Sequence, residues 1–343
     1  CFAIESVTTD APGITEVSAN IYTDGGTITF HDPVTLTGAL PTITMTDTGS
    51  TGIQFMYVDP LGATDALNLN GHNLTLNADN GAGAGTIQFQ GSVEVGASTL
   101  DAFGSAGINV VGGITGSTGS VLLDVGVMSL TNVDGDILLS GAGTITITNA
   151  VLSGVEVSTV GGPITFNGPA VTDVAPSYVS TGSATAGAVL FNDTLTLNSD
   201  LAVFAGSATF VGAVSGANDL ALEVDGATQF QAAVNVGSGV GPAILIDGAG
   251  TTTFQSTVTT ASGIEQTDAS ATTIFQNNVT INHGDTDTFF AGNVTLQAPV
   301  AGLTFQAADA VTFGASAANT LTLAGSGNIA LVTTGGAFSW LLV

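Results

Sequence analysis

Residues 26–30 read Gly-Thr-Ile-Thr-Phe, and this phrase returns as Gly-Thr-Ile-Gln-Phe at 85–89 and as Gly-Pro-Ile-Thr-Phe at 162–166. Each phrase predicts a strand too short to bury an apolar face alone, so neighbouring units must stack to build a continuous core. In the second half, the phenylalanines follow one another at steps of 19, 20, 24, 21, 15 and 15 residues, at Phe191, Phe210, Phe230, Phe254, Phe275, Phe290 and Phe305.

A period of about 20 residues matches one coil of a parallel β-helix, so the predicted fold is an all-β solenoid. The 47 glycines, together with Asn and Asp, would turn the corners because they tolerate positive φ. At about 4.8 Å per coil, about 15 coils would form a rod about 70 Å long. The alternative is a tandem pair of antiparallel β-sandwiches, but these often mark their core with Trp or Cys. Here Trp340 and Cys1 sit at the two ends of the chain, which favours the solenoid.

Composition divides the chain into five segments. We expect an N-terminal cap or edge strand over 1–24, an irregular solenoid half over 25–160 and a Pro/Gly-rich interruption over 161–187. A regular solenoid half follows over 188–330, and an apolar strand closes the chain over 331–343.

The charge balance excludes several functions. The 343 residues include no Lys or Arg, 27 acidic residues and 3 histidines, for a net charge of −27. Nucleic-acid binding requires cations that replace phosphate counterions, and a P-loop or a Schiff base requires lysine. The chain also offers trypsin-like proteases nothing to cut, which suits a protein outside the cell. We therefore expect a secreted or cell-surface protein that binds no nucleic acid.

The single cysteine, Cys1, cannot form an internal disulfide. A leading cysteine is what lipoprotein processing leaves for acylation, so Cys1 is a candidate lipid anchor; the alternative is an unpaired thiol. No apolar run reaches the 18 or more residues of a transmembrane helix.

The residues available for catalysis predict that the protein is not an enzyme. His31, His72 and His283 lie far apart in turn-like contexts, and no Gly-x-Ser-x-Gly elbow stands out. A hydrolase with two carboxylates remains the enzymatic alternative.

Two aspartate pairs are candidate calcium ligands. Asp134 and Asp136 flank one residue, as do Asp285 and Asp287, so each pair could point its carboxylates to one side. Oxygen-rich turns with uncompensated charge suit Ca²⁺, although solvated turn aspartates are the simpler interpretation. No cofactor is required on this evidence, and Ca²⁺ is the candidate ion.

The apolar ends predict self-association. Solenoid ends expose unpaired backbone, so a terminal strand could insert into a neighbouring subunit or pack on its own last coil. The predicted assembly residues are Phe2, Ile4, Phe338, Trp340, Leu341, Leu342 and Val343.

Several phrases resemble a known class of repeats. Gly-Thr-Ile-Thr-Phe (26–30), Gly-Pro-Ile-Thr-Phe-Asn-Gly (162–168) and Leu-Thr-Leu-Asn (74–77 and 195–198) are similar to the β-solenoid repeats of filamentous-haemagglutinin-like exoproteins and autotransporter passengers. The resemblance covers most of 25–325 at the level of the repeat. It implies a bacterial surface location and a fibrous shape, but no binding specificity.

These observations predict an extracellular structural protein, either a subunit of a self-assembling filament or a segment of a fibrous adhesin. Its partners would be further copies of itself, end to end, and host or cell-surface glycans. One alternative is a carbohydrate-binding or carbohydrate-cleaving solenoid, whose mark would be a groove that combines Asp or Glu with exposed aromatic side chains. Another is an ice-binding protein, because pairs such as Thr42/Thr44 and Thr144/Thr146 resemble threonine ladders.

Overall fold

Three parallel β-sheets form a solenoid of about 14 turns, each of about 23 residues. The chain divides into two compact units, Cys1–Asn167 and Gly168–Val343. No helix occurs in the part of the chain that the structure describes. The structure is a computed structural model that describes residues 4–10, 13–49, 51–58, 65–79, 84–182, 187–282 and 287–340.

Each turn adds one strand to each sheet, in the constant order sheet I, sheet II, sheet III. In the first unit the strands, cycling through the three sheets in that order, are β1 Val7–Thr8, β2 Thr15–Val17, β3 Ile21–Thr23, β4 Thr27–Phe30, β5 Val34–Leu36, β6 Thr42–Asp47, β7 Gly52–Phe55, β8 Leu67–Asn68, β9 Asn73–Ala78, β10 Thr86–Phe89, β11 Val93–Gly96, β12 Thr99–Gly104, β13 Gly107–Val110, β14 Ile114–Gly116, β15 Ser120–Val125, β16 Thr131–Val133, β17 Ile137–Leu139, β18 Thr144–Thr148, β19 Ala150–Leu152, β20 Glu156–Ser158 and β21 Ile164–Asn167.

The second unit continues the same cycle. Its strands are β22 Ala170–Thr172, β23 Ser177–Ser180, β24 Ala188–Phe191, β25 Leu195–Leu197, β26 Leu201–Ala205, β27 Ser207–Phe210, β28 Val214–Gly216, β29 Leu220–Val224, β30 Ala227–Phe230, β31 Val234–Val236, β32 Ile244–Ile246, β33 Thr251–Phe254, β34 Val258–Thr260, β35 Ile264–Gln266, β36 Thr272–Phe275, β37 Val279–Ile281, β38 Thr288–Phe290, β39 Asn293–Ala298, β40 Leu303–Ala307, β41 Val311–Phe313, β42 Leu321–Gly325, β43 Ile329–Thr333 and β44 Phe338–Trp340.

Within each unit, a strand pairs with the strand one turn away in the same sheet, and every pair whose register is defined is parallel. Ile87 of β10, for example, lies beside Ile108 of β13. The solenoid prediction is therefore confirmed, and the antiparallel sandwich alternative is excluded.

Alternation along each strand builds the core. Strand β9 buries Leu74, Leu76 and Ala78 and leaves the residues between them partly exposed. This period of two residues sends one set of side chains into the solenoid and the other set outward. The interior is therefore a stack of apolar layers with one layer per turn.

The number of residues per turn varies more than a strict repeat would allow. Register partners lie 34 residues apart at Ile53 and Ile87, but only 19 apart at Leu195 and Val214. The difference falls between strands, where extra residues cost little stability. The average of about 23 is slightly longer than the period predicted from the phenylalanines.

Each unit contains a column of stacked phenylalanine rings. In sheet III, Phe191, Phe210, Phe230, Phe254 and Phe275 are successive register partners. Their rings stack with centroids 5.1, 4.5, 4.7 and 5.1 Å apart. In sheet I of the first unit, a shorter column has centroid separations of 5.3 and 5.6 Å and consists of Phe30, Phe55 and Phe89.

The last two residues of the predicted phenylalanine series lie outside this column. Phe290 pairs with Phe313 in sheet II, and Phe305 pairs with Val279 in sheet I. The steps of 15 residues therefore cover two of the three sides of a turn. The phrase itself is not tied to one sheet, because Phe89 ends it in sheet I and Phe166 ends it in sheet III.

Close approach of successive turns explains particular corner glycines. Gly52 has φ of 87°, and a Cβ at this position would lie 1.8 Å from the carbonyl oxygen of Thr86. A larger residue would be strained by its backbone conformation and would also collide with the next turn.

The predicted segments at the ends and in the middle all contain solenoid strands. Residues 4–24 include β1, β2 and β3, while 161–187 include β21, β22 and β23 and contain the boundary between the two units. Near the C-terminus, β44 pairs in parallel with β41.

The phenylalanine column predicts a stability difference. We expect Phe230→Ala to lower the free energy of unfolding by about 3–5 kcal/mol, because it removes a fully buried ring that stacks on two others. Phe289→Ala is the matched control, since Phe289 is an outward, half-buried residue of β38, and should cost about 1 kcal/mol or less. Denaturant unfolding followed by circular dichroism measures both, and equal losses would contradict the column's role.

Candidate functional site

The first predicted calcium pair occupies the corner between β16 and β17. Asp134 and Asp136 are both exposed there, on either side of Gly135. Oδ1 of Asp136 accepts a hydrogen bond from the backbone N–H of Glu156 at 2.8 Å. Since Ile137 pairs with Val157, Glu156 is the equivalent residue one turn later. The Asp136 carboxylate therefore links two turns.

The same contact recurs along the solenoid. An Asn or Asp directly before a strand, or as its first residue, accepts the N–H of the equivalent residue in the next turn, which satisfies that N–H beside the parallel ladder. Sequence reasoning missed this role, although Asn or Asp immediately before a β-rich run is its visible signal. The other acceptor and donor pairs are Asn20 with Thr44, Asn73 with Thr99, Asp200 with Asp219, Asn278 with Thr304 and Asn293 with Thr320, at 2.8–3.0 Å.

The second calcium pair is only partly described. Asp287 is exposed, and Asp285 lies outside the described residues. Among the residues that are described, no group of three or more His, Cys, Asp and Glu is placed to hold a metal ion. The calcium assignment stays a prediction.

One acid is fully buried in the first unit. Asp47 accepts hydrogen bonds from Thr23 Oγ1 at 2.6 Å, from the N–H of Gly49 at 3.0 Å and from the N–H of Gly52 at 3.0 Å. A buried carboxylate without a cation must be satisfied by such donors. Its role is to hold the corner after β6.

The histidines carry no evident chemistry in the described residues. His31 is exposed, and Nδ1 of His72 lies 2.7 Å from the carbonyl oxygen of Leu40. His283 lies outside the described residues.

Only part of the predicted assembly surface is described. At the N-terminal end, Ile4 is 47% exposed and bridges Thr23 in parallel. At the C-terminal end, Phe338 is half-buried, and the register places Trp340 beside Phe313. The other predicted residues lie outside the described residues, namely Cys1, Phe2, Leu341, Leu342 and Val343.

The last turn leaves apolar side chains uncovered. Leu323 of β42 pairs with Leu296, which is fully buried, yet Leu323 is 58% exposed. Leu331 of β43 likewise pairs with the buried Phe305 and is itself only half-buried. These inward-facing positions have a layer of the core on one side and no described layer on the other.

A groove of about 270 Å³ lies on the outward face of sheet II in the second unit. The register places Tyr178, Ala202, Ala221 and Leu245 in one column on four successive strands. The two alanines form a depression because the residues before and after them in the column are large. An adjoining hollow shares Ala221 and Leu245 with the groove.

Tyr178 lines this groove, and its stacking partner Phe204 lines the adjoining hollow. Tyr178 is 48% exposed and stacks on Phe204, with ring centroids 6.4 Å apart and an interplanar angle of 21°. Sequence reasoning missed Phe204. Its signal is the run Leu-Ala-Val-Phe-Ala over 201–205, in which apolar residues also fill the outward positions.

Carboxylates border the groove on two sides. Asp200 and Asp219 line the groove itself, and Glu223 and Asp247 line the adjoining hollow. Asp219 accepts hydrogen bonds from both the N–H and the Oγ of Ser238 at 2.9 Å, while Glu223 is exposed. Acids and exposed aromatics thus meet here, the combination that would mark the carbohydrate alternative.

The outward threonines do not form a continuous ladder across sheet III in the first unit. The column that passes through Thr44 and Thr75 continues to Asp101 and Leu122 before it reaches Thr146. An acid and a leucine therefore interrupt the regular hydroxyl spacing on this face.

Comparisons with known proteins give no family. A scan against protein-family models finds no match. A search among curated proteins finds no match. A search among solved structures also finds none. The β-solenoid architecture that the haemagglutinin-like resemblance implied is present, while membership of that family is not shown.

Within the described residues, no helix is long and apolar enough to cross a membrane.

Two aspartates should affect the stability of the fold in opposite ways as the pH changes. Burial, and secondly repulsion from Asp124, raises the pKa of Asp101 above its ordinary value. Hydrogen bonds from the Ser270 side chain and backbone lower the pKa of Asp268. The charged Asp101 carboxylate therefore destabilises the fold as pH rises through its folded-state pKa. The charged Asp268 carboxylate stabilises the fold at neutral pH, and this stabilisation is lost as pH falls through its folded-state pKa.

We therefore expect Asp101→Asn to raise the melting temperature at about pH 7 and to leave it nearly unchanged at about pH 3. Asp268→Asn should not raise the melting temperature at neutral pH and serves as the control. Thermal unfolding by circular dichroism at both pH values measures the effect. Stabilisation by both substitutions would instead indicate a general relief of the −27 net charge.

Proposed function

We propose that the protein is a non-enzymatic structural component of an extracellular surface, acting as a filament subunit or as a segment of a fibrous adhesin. The observation that carries this proposal is the apolar face of the last described turn, where Leu323 is 58% exposed although its register partner Leu296 is buried. In a solenoid, the surface that receives the next turn is the same whether that turn belongs to the same chain or to another copy.

The strand edges of this turn also favour pairing with a second copy of the chain. Among the described residues, strands β42, β43 and β44 are the last in their sheets, so each has one edge that no described strand covers. Exposed edges readily pair with another chain, and the pairing would bury Leu323 and Leu331 together with the new backbone hydrogen bonds. End-to-end addition of a second copy therefore extends the existing sheets.

Composition and resemblance support an extracellular site of action. The chain has no Lys or Arg at which trypsin-like proteases could cut, and its repeats resemble those of filamentous-haemagglutinin-like exoproteins and autotransporter passengers. Acylation of Cys1, which lies outside the described residues, would anchor the protein and stays a prediction.

The assembly proposal is tested at the uncovered face. We expect Leu323→Asp to abolish concentration-dependent association, because it places a charge where the next turn would pack. Thr322→Asp is the matched control, since Thr322 is the exposed, outward-facing neighbour on the same strand. Sedimentation velocity and electron microscopy report fibre formation. Normal fibres from Leu323→Asp, or no association by the unsubstituted protein, would refute end-to-end assembly.

Calcium is the proposed screening ion for these fibres. Each copy carries a net charge of −27, so association brings like charges together. We expect a calcium chelator to fray the fibres, and Asp134→Asn combined with Asp136→Asn to make them less dependent on calcium. Asp193→Asn combined with Asp225→Asn, which removes two exposed acids of the second unit, is the charge control. Fibres that are unaffected by the chelator would remove calcium from the proposal and leave the assembly itself intact.

A further inference from the structure

The groove on sheet II has an apolar floor of defined length. Tyr178 and Leu245 stand three strand spacings apart in one column, which is about 14 Å at about 4.8 Å per spacing. Between them lie only Ala202 and Ala221 in that column. Pro176 and Pro242 complete the ends of the groove. The depression is long enough for an extended aliphatic chain.

The hollow that adjoins the groove carries two carboxylates, Glu223 and Asp247, and Asp247 accepts a hydrogen bond from Thr267 Oγ1. Glu223 follows Phe204 in a second column, and the register of Leu222 with Ile246 places Asp247 next to Glu223. Like charges at adjacent positions of a sheet destabilise it. No Lys or Arg occurs anywhere in the 343 residues to offset this repulsion. A cation from outside the chain would offset it.

We propose that this groove binds a lysine or arginine side chain from a basic polypeptide segment of another protein. The aliphatic stem would lie on Ala221 and Leu245, which line both the groove and the adjoining hollow, as long cationic side chains do on apolar surfaces. The cationic head would reach the carboxylates of Glu223 and Asp247 through charge-assisted hydrogen bonds.

The chemistry of the groove favours this ligand over three others. A sugar needs hydroxyl partners across its width, whereas the floor is alanine, leucine and proline. A calcium ion needs several oxygens around it, and no group of three or more potential metal ligands occurs among the described residues. Another copy of these 343 residues contains no lysine or arginine. The inference is independent of self-assembly, because the groove lies on an outward sheet face and not on the last turn.

Isothermal titration calorimetry on the full chain tests the proposal. The probe is the peptide acetyl-Ser-Lys-Leu-Lys-Ser-amide in about 0.15 M salt, which screens distant charges. The neutral reference peptide has glutamine in place of both lysines. We expect the lysine peptide to bind at least about tenfold more tightly than the glutamine peptide, because only lysine can pair with the carboxylates.

Two substitutions with matched controls locate the site. Ala221→Leu fills the floor and should weaken lysine-peptide binding at least about fivefold, whereas Ala227→Leu, at an exposed outward alanine of sheet III, should not. Glu223→Gln should weaken binding about threefold or more, whereas Glu156→Gln, at an exposed glutamate on a sheet II strand of the first unit, should not. Circular dichroism confirms that each variant is folded.

Three outcomes would overturn the proposal. Equal binding of the lysine and glutamine peptides would make the groove a neutral apolar site. Lysine-peptide binding that is unchanged by Ala221→Leu would reflect the diffuse charge of the whole chain. Binding of a neutral oligosaccharide such as cellohexaose that is lost in Tyr178→Ala, without lysine-peptide binding, would assign the groove to carbohydrate. Tyr22→Ala, at the 41% exposed tyrosine of the first unit, is the control for that substitution.

Discussion

Parallel in-register pairing between successive turns is the constraint on which the rest of the structure depends. It places each residue beside its equivalent one turn later, so that every position along a strand becomes a column. The phenylalanine stack from Phe191 to Phe275 is one such column, with centroid separations of 4.5–5.1 Å. Backbone spacing sets this separation, and offset aromatic rings interact favourably at about 4.5–7 Å.

The absence of Lys and Arg leaves stability to burial and hydrogen bonding. Some carboxylates are held in place by hydrogen bonds from backbone N–H groups and hydroxyls. Asp47 accepts such bonds within its corner, and Asp136 accepts one from the next turn. The Asn and Asp acceptors at the starts of strands form the same kind of hydrogen bond from one turn to the next. Acids without such donors, Glu223 among the exposed ones, keep their full capacity for an external cation.

Residues that are close in sequence could be predicted as a site, whereas residues brought together by the stacking of turns could not. Asp134 and Asp136 were visible as a pair, but the contact between Asp136 and Glu156 depends on a turn that is 20 residues long at that point. The groove was not visible in the sequence, because Tyr178 and Phe204 meet only when two turns of different composition stack in one register. Phe204 also lies in an uninterrupted apolar run, where alternation alone does not show which side chains face outward.

The sequence by itself determined the all-β solenoid class, since short strands at a repeated spacing cannot bury their apolar faces without stacking. It also determined the absence of lysine and arginine and the net charge of −27. Only the tertiary structure decided which side of a turn each phrase occupies, as Phe89 and Phe166 show by ending similar phrases in different sheets. The reason is physical: alternation encodes the inward and outward faces of a strand, whereas the lengths of the corners between strands decide the sheet that the strand joins and the residues that it meets there.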